Sequence, residues 1–152
     1  MNVVVPYTRI VGALPIAARL LRVPDCDDGY WQILRDVWNE GETFIVVEHD
    51  VSPSIEALTD LWECPGLWCI QPYWHPAVGL VRTALGCAKF GASAMVKVPD
   101  LFEIIRDLPF HPGDPELVPT HWKSLNVIMV GVLYSRGLKH HEHNIRVDHR
   151  GQ

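Results

Sequence analysis

The chain has 152 residues, 48% of them hydrophobic and 20% charged, which suits one packed domain and excludes a disordered segment. A net charge of −5, from 13 basic and 18 acidic side chains, disfavours a general polyanion binder but leaves room for a local basic face. No apolar run approaches the ~20 residues that span a bilayer, and Met1-Asn2-Val3-Val4-Val5-Pro6 has neither a basic region nor a small-residue cleavage site, so a soluble cytoplasmic protein with no membrane partner is expected.

Val3-Val4-Val5-Pro6-Tyr7 reads as a first, central strand, followed by a loop at Thr8 and Arg9. Residues 15–22 suit a helix, with Pro15 in its first turn and Ile16, Leu20 and Leu21 on one face. A polar loop over 23–29 precedes a second helix on which Tyr30, Ile33, Leu34, Val37 and Trp38 share a face and which Gly41 closes. The run 44–48 predicts a buried strand. Ser52 and Pro53 open a helix over 53–62, and 67–71 predicts another strand. Residues 75–82 suggest a loop of no assigned class, 85–91 a strand with glycines, 92–98 a short helix and 100–107 another capped by Asp100. The proline-rich stretch 109–119 suits a mobile lid. Thr120 then caps a long helix over 121–136, and the tail 139–150 could form one extended strand. The expected class is α/β, a three-layer α/β/α arrangement about a mostly parallel central sheet, in a single domain over 1–152. Its halves would be 1–66 for a donor and metal and 67–152 for an acceptor, with the C-terminal tail.

The run Phe44-Ile45-Val46-Val47 leads directly into Glu48-His49-Asp50. Period-2 geometry turns Glu48 and Asp50 to one side. Two hard oxygen donors at the carboxyl end of a buried strand suit a divalent cation that holds a diphosphate; the competing reading is a solvated strand end. Histidines 140, 141, 143 and 149 crowd the tail. If it folds back over the strand ends, His143 or His149 could be a third ligand; otherwise they are solvated. Arg9 suits a phosphate, Tyr7 could stack on a base, and Asp25, Asp27 and Asp28 could accept hydrogen bonds from a base or ribose. Gly86 permits close approach of an acceptor and Lys89 could neutralise a phosphate, unless it is a lysine snorkelling from a core strand. Asp114, Glu116 and His121 are the candidates for a general base, with capping or packing the alternative for His121.

The four cysteines, Cys26, Cys64, Cys69 and Cys87, form no C-x-x-C pair, so buried free thiols are expected rather than a zinc ribbon. Most of the six tryptophans should line the core or a pocket. The chain contains no G-x-G-x-x-G, G-x-x-x-x-G-K-[ST], G-x-S-x-G or H-E-x-x-H, which removes support for dinucleotide oxidoreductases, P-loop enzymes, serine hydrolases and zincins.

Taken in order, Val3 to Arg9, the run ending in Glu48-His49-Asp50, the Cys-Pro and Trp-Cys that follow, Leu85-Gly86-Cys87-Ala88-Lys89-Phe90 and a late histidine resemble compact GT-A-like glycosyltransferases of phages and actinobacteria. The resemblance implies a nucleotide-sugar donor contacted by Pro6, Tyr7, Thr8, Arg9, Asp28, Glu48, His49 and Asp50. It implies Mn2+ or Mg2+ held by Glu48, Asp50 and His143 or His149, as Lewis-acid help to the leaving group. It also implies an acceptor wall of Tyr73, Trp74, Gly86, Lys89 and Trp122. The acceptor it suggests is a hydroxymethylated pyrimidine in phage DNA, and an oligomer is compatible with it. The chain departs from the pattern in its first acid, which is Glu48 rather than aspartate, in its short nucleotide-binding half, and in having Thr120-His121 where a Glu-Asp pair would open the acceptor helix. A metal-dependent phosphoesterase or nuclease, and a non-catalytic binding module with a degenerate site, are the competing readings.

Overall fold

The valine run at the N-terminus forms β1 (Val3–Tyr7), buried over its first four residues, in a computed structural model that describes residues 1–9, 14–82, 84–110, 113, 118–144 and, by backbone alone, 147–149. β2 (Arg19–Arg22) pairs with it in parallel from Val4↔Arg19 to Tyr7↔Arg22. This is a strand where the sequence suggests a helix over 15–22. The Ile16, Leu20 and Leu21 spacing is overridden because the open edge of β1 offers a backbone ladder, which the Val23 N–H continues onto the Tyr7 carbonyl at 2.9 Å. α1 (Gly29–Asn39) buries Trp31, Leu34, Val37 and Trp38 and is followed by Gly41 at φ 73°. A Cβ at Gly29 would lie 2.5 Å from the Pro24 carbonyl oxygen, so only glycine lets the loop enter this helix so closely.

β3 (Phe44–Val47) is buried throughout and lies parallel to β1 on the side opposite β2. After the short β4 (Val51–Ser52), Ser54 rather than Ser52 caps α2 (Ile55–Glu63), its Oγ accepting from the Ala57 N–H at 3.2 Å. β5 (Trp68–Ile70) follows, then a hairpin of β6 (Tyr73–His75) and β7 (Gly79–Val81) in the stretch left unassigned from sequence. β8 (Cys87–Phe90) runs antiparallel between β3 and β5. α3 (Ala92–Lys97), α4 (Leu101–Arg106) and α5 (Trp122–Ser135) come next. The tail is two short strands rather than one: β9 (His141–Glu142) beside β5, and β10 (Val147–His149) between β4 and β6.

The expected three-layer α/β/α fold with a mostly parallel sheet of GT-A type is overturned. The six-stranded sheet, in the order β2-β1-β3-β8-β5-β9, is mixed, and a second sheet, β4-β10-β6-β7, stands beside it. Parallel neighbours need a crossover connection, commonly a helix, and among the described residues the chain between β5 and β8 holds only the hairpin. Nor do the helices form two matched layers. α1, α3, α4 and α5 pack with Val4, Phe44, Val46, Trp68, Ile70 and Phe90 on one face. On the other, α2 is the one helix among the described residues, supplying Ala57, Leu58 and Leu61, and Val51 and Tyr73 of the second sheet join it. No helix among the described residues is long and apolar enough to cross a membrane.

Trp38 sits at the centre of the larger core. Its ring meets Phe90 at 5.7 Å and Phe102 at 6.0 Å, both edge-on, and its Nε1–H donates to the Val98 carbonyl at 3.0 Å. Trp38→Ala should lower the unfolding free energy by about 3–5 kcal/mol. Val96→Ala, at a side chain 79% exposed on α3, should stay within about 0.5 kcal/mol. Urea denaturation of both variants checks this; equal losses would remove the aromatic cluster as the anchor of this face.

Candidate functional site

β1 is flanked by β2 on one side and β3 on the other: the chain steps from β1 to β2 and then crosses back through α1 to β3, so the strand order reverses at β1. Helices and loops diverge at such a switch point and leave a crevice beyond the carboxyl ends of the strands. A cleft of about 1040 Å³ opens there. Thr8 and Arg9 follow β1, Arg22 ends β2, and Glu48, His49 and Asp50 follow β3. Asp25, Cys26, Asp27 and Tyr30 come from the β2–α1 connection and the start of α1. The opposite wall is Tyr73 and His75 of β6 with Trp122, Lys123 and Asn126 from the first turns of α5.

Glu48 is held by its backbone on both sides. Its N–H donates to the Gly86 carbonyl at 3.0 Å, and its own carbonyl accepts from the Val51 N–H at 3.0 Å, closing a tight turn that carries Asp50. Burial, and then the nearby Asp50 charge, push the Glu48 carboxyl up to about 7, against a hydrogen bond from Tyr73 that favours the carboxylate. Burial and the same two carboxylates also raise the Tyr30 phenol. The Nδ1 of His49 is buried there without a hydrogen-bond partner. The cleft thus brings together Glu48, whose proton affinity is raised, the Asp50 carboxylate and the orphaned His49 nitrogen.

Of the residues named from sequence for the donor, Thr8, Arg9, Glu48, His49 and Asp50 meet in this cleft, and Tyr73 and Trp122 of the acceptor set join them. Others do not. Pro6 and Tyr7 remain within the β1–β2 ladder, opposite Leu21 and Arg22. Asp28 accepts from the Gln32 amide at 3.1 Å at the head of α1. Gly86 contributes its carbonyl to the Glu48 turn, and Trp74 is 54% exposed on β6, outside the cleft lining. Lys89 points to the opposite face of the sheet and donates to the Cys64 carbonyl, because successive residues of a strand alternate sides. His121 is the N-cap of α5: its Nδ1 accepts from the Lys123 N–H at 3.2 Å, and its Nε2 lies 3.8 Å from Asp27. It therefore serves as the cap expected of Thr120, and it is not part of the cleft lining. Asp114 and Glu116, with most of the proposed lid, lie outside the described residues, and His149 is described only as a backbone pairing with Val51.

His143 is not with the carboxylates. It lies with Cys64, Cys69 and His141, the four donor atoms all within 4.8 Å of one another. Cys69 donates to the Cys64 sulfur at 2.7 Å, and His141 Nδ1 lies 3.2 Å from it. Burial opposes the charged form of both thiols, but these contacts draw Cys64 down, while burial and the Cys64 charge drive Cys69 up. Of the cysteines expected to be buried, Cys64, Cys69 and Cys87 are, and Cys26 is exposed.

Sequence reasoning missed Arg22 because a helix was read over 15–22; a strand reading of Arg-Leu-Leu-Arg would have put it at a strand end beside Arg9. It missed the cysteine and histidine group because the pairs are far apart in the chain and neither has zinc-ribbon spacing. Tyr30 and Lys123 carried no signal apart from their place on helices that reach the cleft.

The raised Glu48 carboxyl has a stability consequence. Its folded pKa of about 7 lies above the ordinary 4.5, so the folded state takes up the proton more tightly. Stability is full below about pH 4.5 and falls as pH rises through about 7, by about 1–3 kcal/mol. Glu48→Gln should flatten the descent between pH 5 and 8 in denaturation curves. An unchanged descent would place the carboxyl in water.

No protein-family model, curated protein or solved structure matches the chain.

Proposed function

We propose that the protein is a metal-dependent glycosyltransferase that binds a nucleotide-sugar in the cleft beyond β1 and β3. The observation that carries this reading is the pairing of Glu48 and Asp50 with Arg9 and Arg22 around one cavity at the sheet's switch point. A diphosphate is doubly suited to such a site: its oxygens complete the shell of a cation on the carboxylates, and its remaining charge meets the guanidinium groups. The donor set fits Mg2+ or Mn2+, since both side chains offer hard oxygens. The bound cation would supply charge neutralisation to the departing diphosphate.

The chain's own residues do the rest by positioning. Arg9 and Arg22 fix the phosphates, and Asp25 and Asp27 offer acceptors to the ribose or base. Tyr73 holds Glu48 in place through its hydroxyl. Trp122, 53% exposed at the cleft with the Lys123 ammonium 5.5 Å from its ring centroid, is a platform for a flat acceptor. A hydroxymethylated pyrimidine in DNA fits that platform, with its hydroxyl as nucleophile, and the net charge of −5 suits a local contact better than an extended DNA track. The convergence of Asp25, Asp27, Glu48 and Asp50 on one cavity favours a phosphoesterase as the second reading.

A thermal-shift panel of nucleoside diphosphates, each with Mn2+, with Mg2+ and with the cation omitted, tests the site. One nucleotide should raise Tm only when the cation is present, by an increment worth about 2.7 kcal/mol at a hundredfold excess over Kd. Glu48→Gln and Asp50→Asn should each abolish the increment and remain folded without ligand. A flat panel would sink the donor site, and phosphate release from a nucleotide without acceptor would select the phosphoesterase.

A further inference from the structure

We propose that Cys64, Cys69, His141 and His143 bind a zinc ion, and that this zinc clasps the C-terminal segment to the main sheet. The site is separate from the cleft and does not depend on what the cleft binds. Cys64 caps the C-terminus of α2, Cys69 lies in β5, and His141 in β9 is the direct ladder partner of Cys69. The His143 N–H donates to the Ile70 carbonyl at 3.0 Å, so both histidines are held to β5 by backbone.

The second independent sign is the state of His143. Its ring is 7% exposed, its Nδ1 bonds to the Asp60 carboxylate, and its buried Nε2 has no partner. A buried imidazole with one nitrogen oriented by a carboxylate and the other left bare is the arrangement of a metal-ligating histidine. Asp60 and Cys64 stand one helical turn apart, so α2 supplies both the sulfur and the orienting carboxylate from one face. The turn between the cysteines is fitted to the sulfurs. The Gly66 N–H donates to Cys64 Sγ at 3.4 Å, and a Cβ at Gly66 would meet Cys69 Sγ at 3.0 Å and Cys64 Sγ at 3.3 Å.

The donor chemistry selects the metal. Two sulfurs and two imidazoles suit zinc and not the hard cations expected at carboxylates. Bond lengths of ~2.3 Å to sulfur and ~2.0 Å to nitrogen give tetrahedral edges of ~3.3–3.8 Å, and the observed donors span 2.7 to 4.8 Å. Small shifts therefore close the shell. Zinc takes both sulfurs as thiolates and both imidazoles neutral, so the thiol protons pass to solvent and the ion with its four ligands carries no net charge. Four protein ligands leave no open position, which makes the site structural. β9 has only two ladder pairs with β5 to hold it. Beyond it, β10 enters the second sheet beside β6, which carries Tyr73 and His75 to the cleft.

The full chain, produced without a histidine tag, should contain about one zinc per molecule by elemental analysis. Cobalt exchanged into it should show the thiolate-to-metal charge-transfer band and the strong visible bands of a tetrahedral S2N2 site. Removing zinc should speed amide exchange in 138–149 and 71–76 ahead of α1 and α4. Asp60→Asn keeps all four ligands, so it should fold and hold zinc about 10–100-fold more weakly in competition with a chromophoric chelator; this variant decides the matter even if Cys64→Ser or Cys69→Ser fails to fold. Failure to take up zinc on reconstitution, cobalt spectra without thiolate bands, or an intact mass two hydrogens short from a Cys64–Cys69 disulfide would each overturn the proposal. A zinc-loaded protein that ignores nucleotides would overturn the transferase reading alone.

Discussion

The antiparallel insertion of β8 between β3 and β5 is the constraint on which the molecule depends. In that register Phe90 stands opposite both Phe44 and Trp68. Its ring lies 5.4 Å from Phe44, 5.7 Å from Trp38 and 5.8 Å from Trp68, the last nearly parallel. One side chain thus joins the two halves of the sheet and the first long helix. A slip of one residue would send Phe90 to the α2 face and bring Lys89 into the aromatic core, at a cost no local gain could offset.

The same strand organises both candidate sites because its residues alternate between faces. At its start, the Gly86 carbonyl receives the Glu48 N–H and fixes the turn that carries the carboxylates. On the α2 face, Lys89 lies opposite Cys69 and bonds to the Cys64 carbonyl, filling the floor beneath the cysteine and histidine cluster. The buried Lys89 beside Cys69 pulls that thiol toward the thiolate, against the larger opposing effect of burial. The two donor sets are kept apart in kind as well as in place. Carboxylates line the cleft, while two sulfurs gather with His141 and His143 at the tail; oxygen donors suit hard cations and sulfur with imidazole suits softer ones.

Much of the framework was legible in the sequence. The apolar runs of β1, β3, β5 and β8 and the spacing on α1 and α5 report burial directly, because a strand or helix face is made of residues close in the chain. Glu48, Asp50 and Arg9 were also legible, since each directly follows a buried strand. β2 was not, because a four-residue edge strand with three residues exposed carries no period that distinguishes strand from helix. The hairpin of β6 and β7 was not, because apart from Tyr73 its residues are exposed or partly buried, and the second neighbour of β6 is the distant β10.

Local chemistry therefore determined most of the elements and the placing of two carboxylates at a strand end. Only the tertiary structure decided which strands became neighbours, and with that the partners of each histidine. His143 was expected beside Glu48 and Asp50, yet parallel pairing of β9 with β5 brings it to Asp60 and the cysteines. His141 reaches Cys64 across 77 residues of sequence. Spacing along a chain holds no record of contacts that far apart. They arise when the sheet closes, because the cost of joining distant segments is met by the burial that the whole sheet achieves at once.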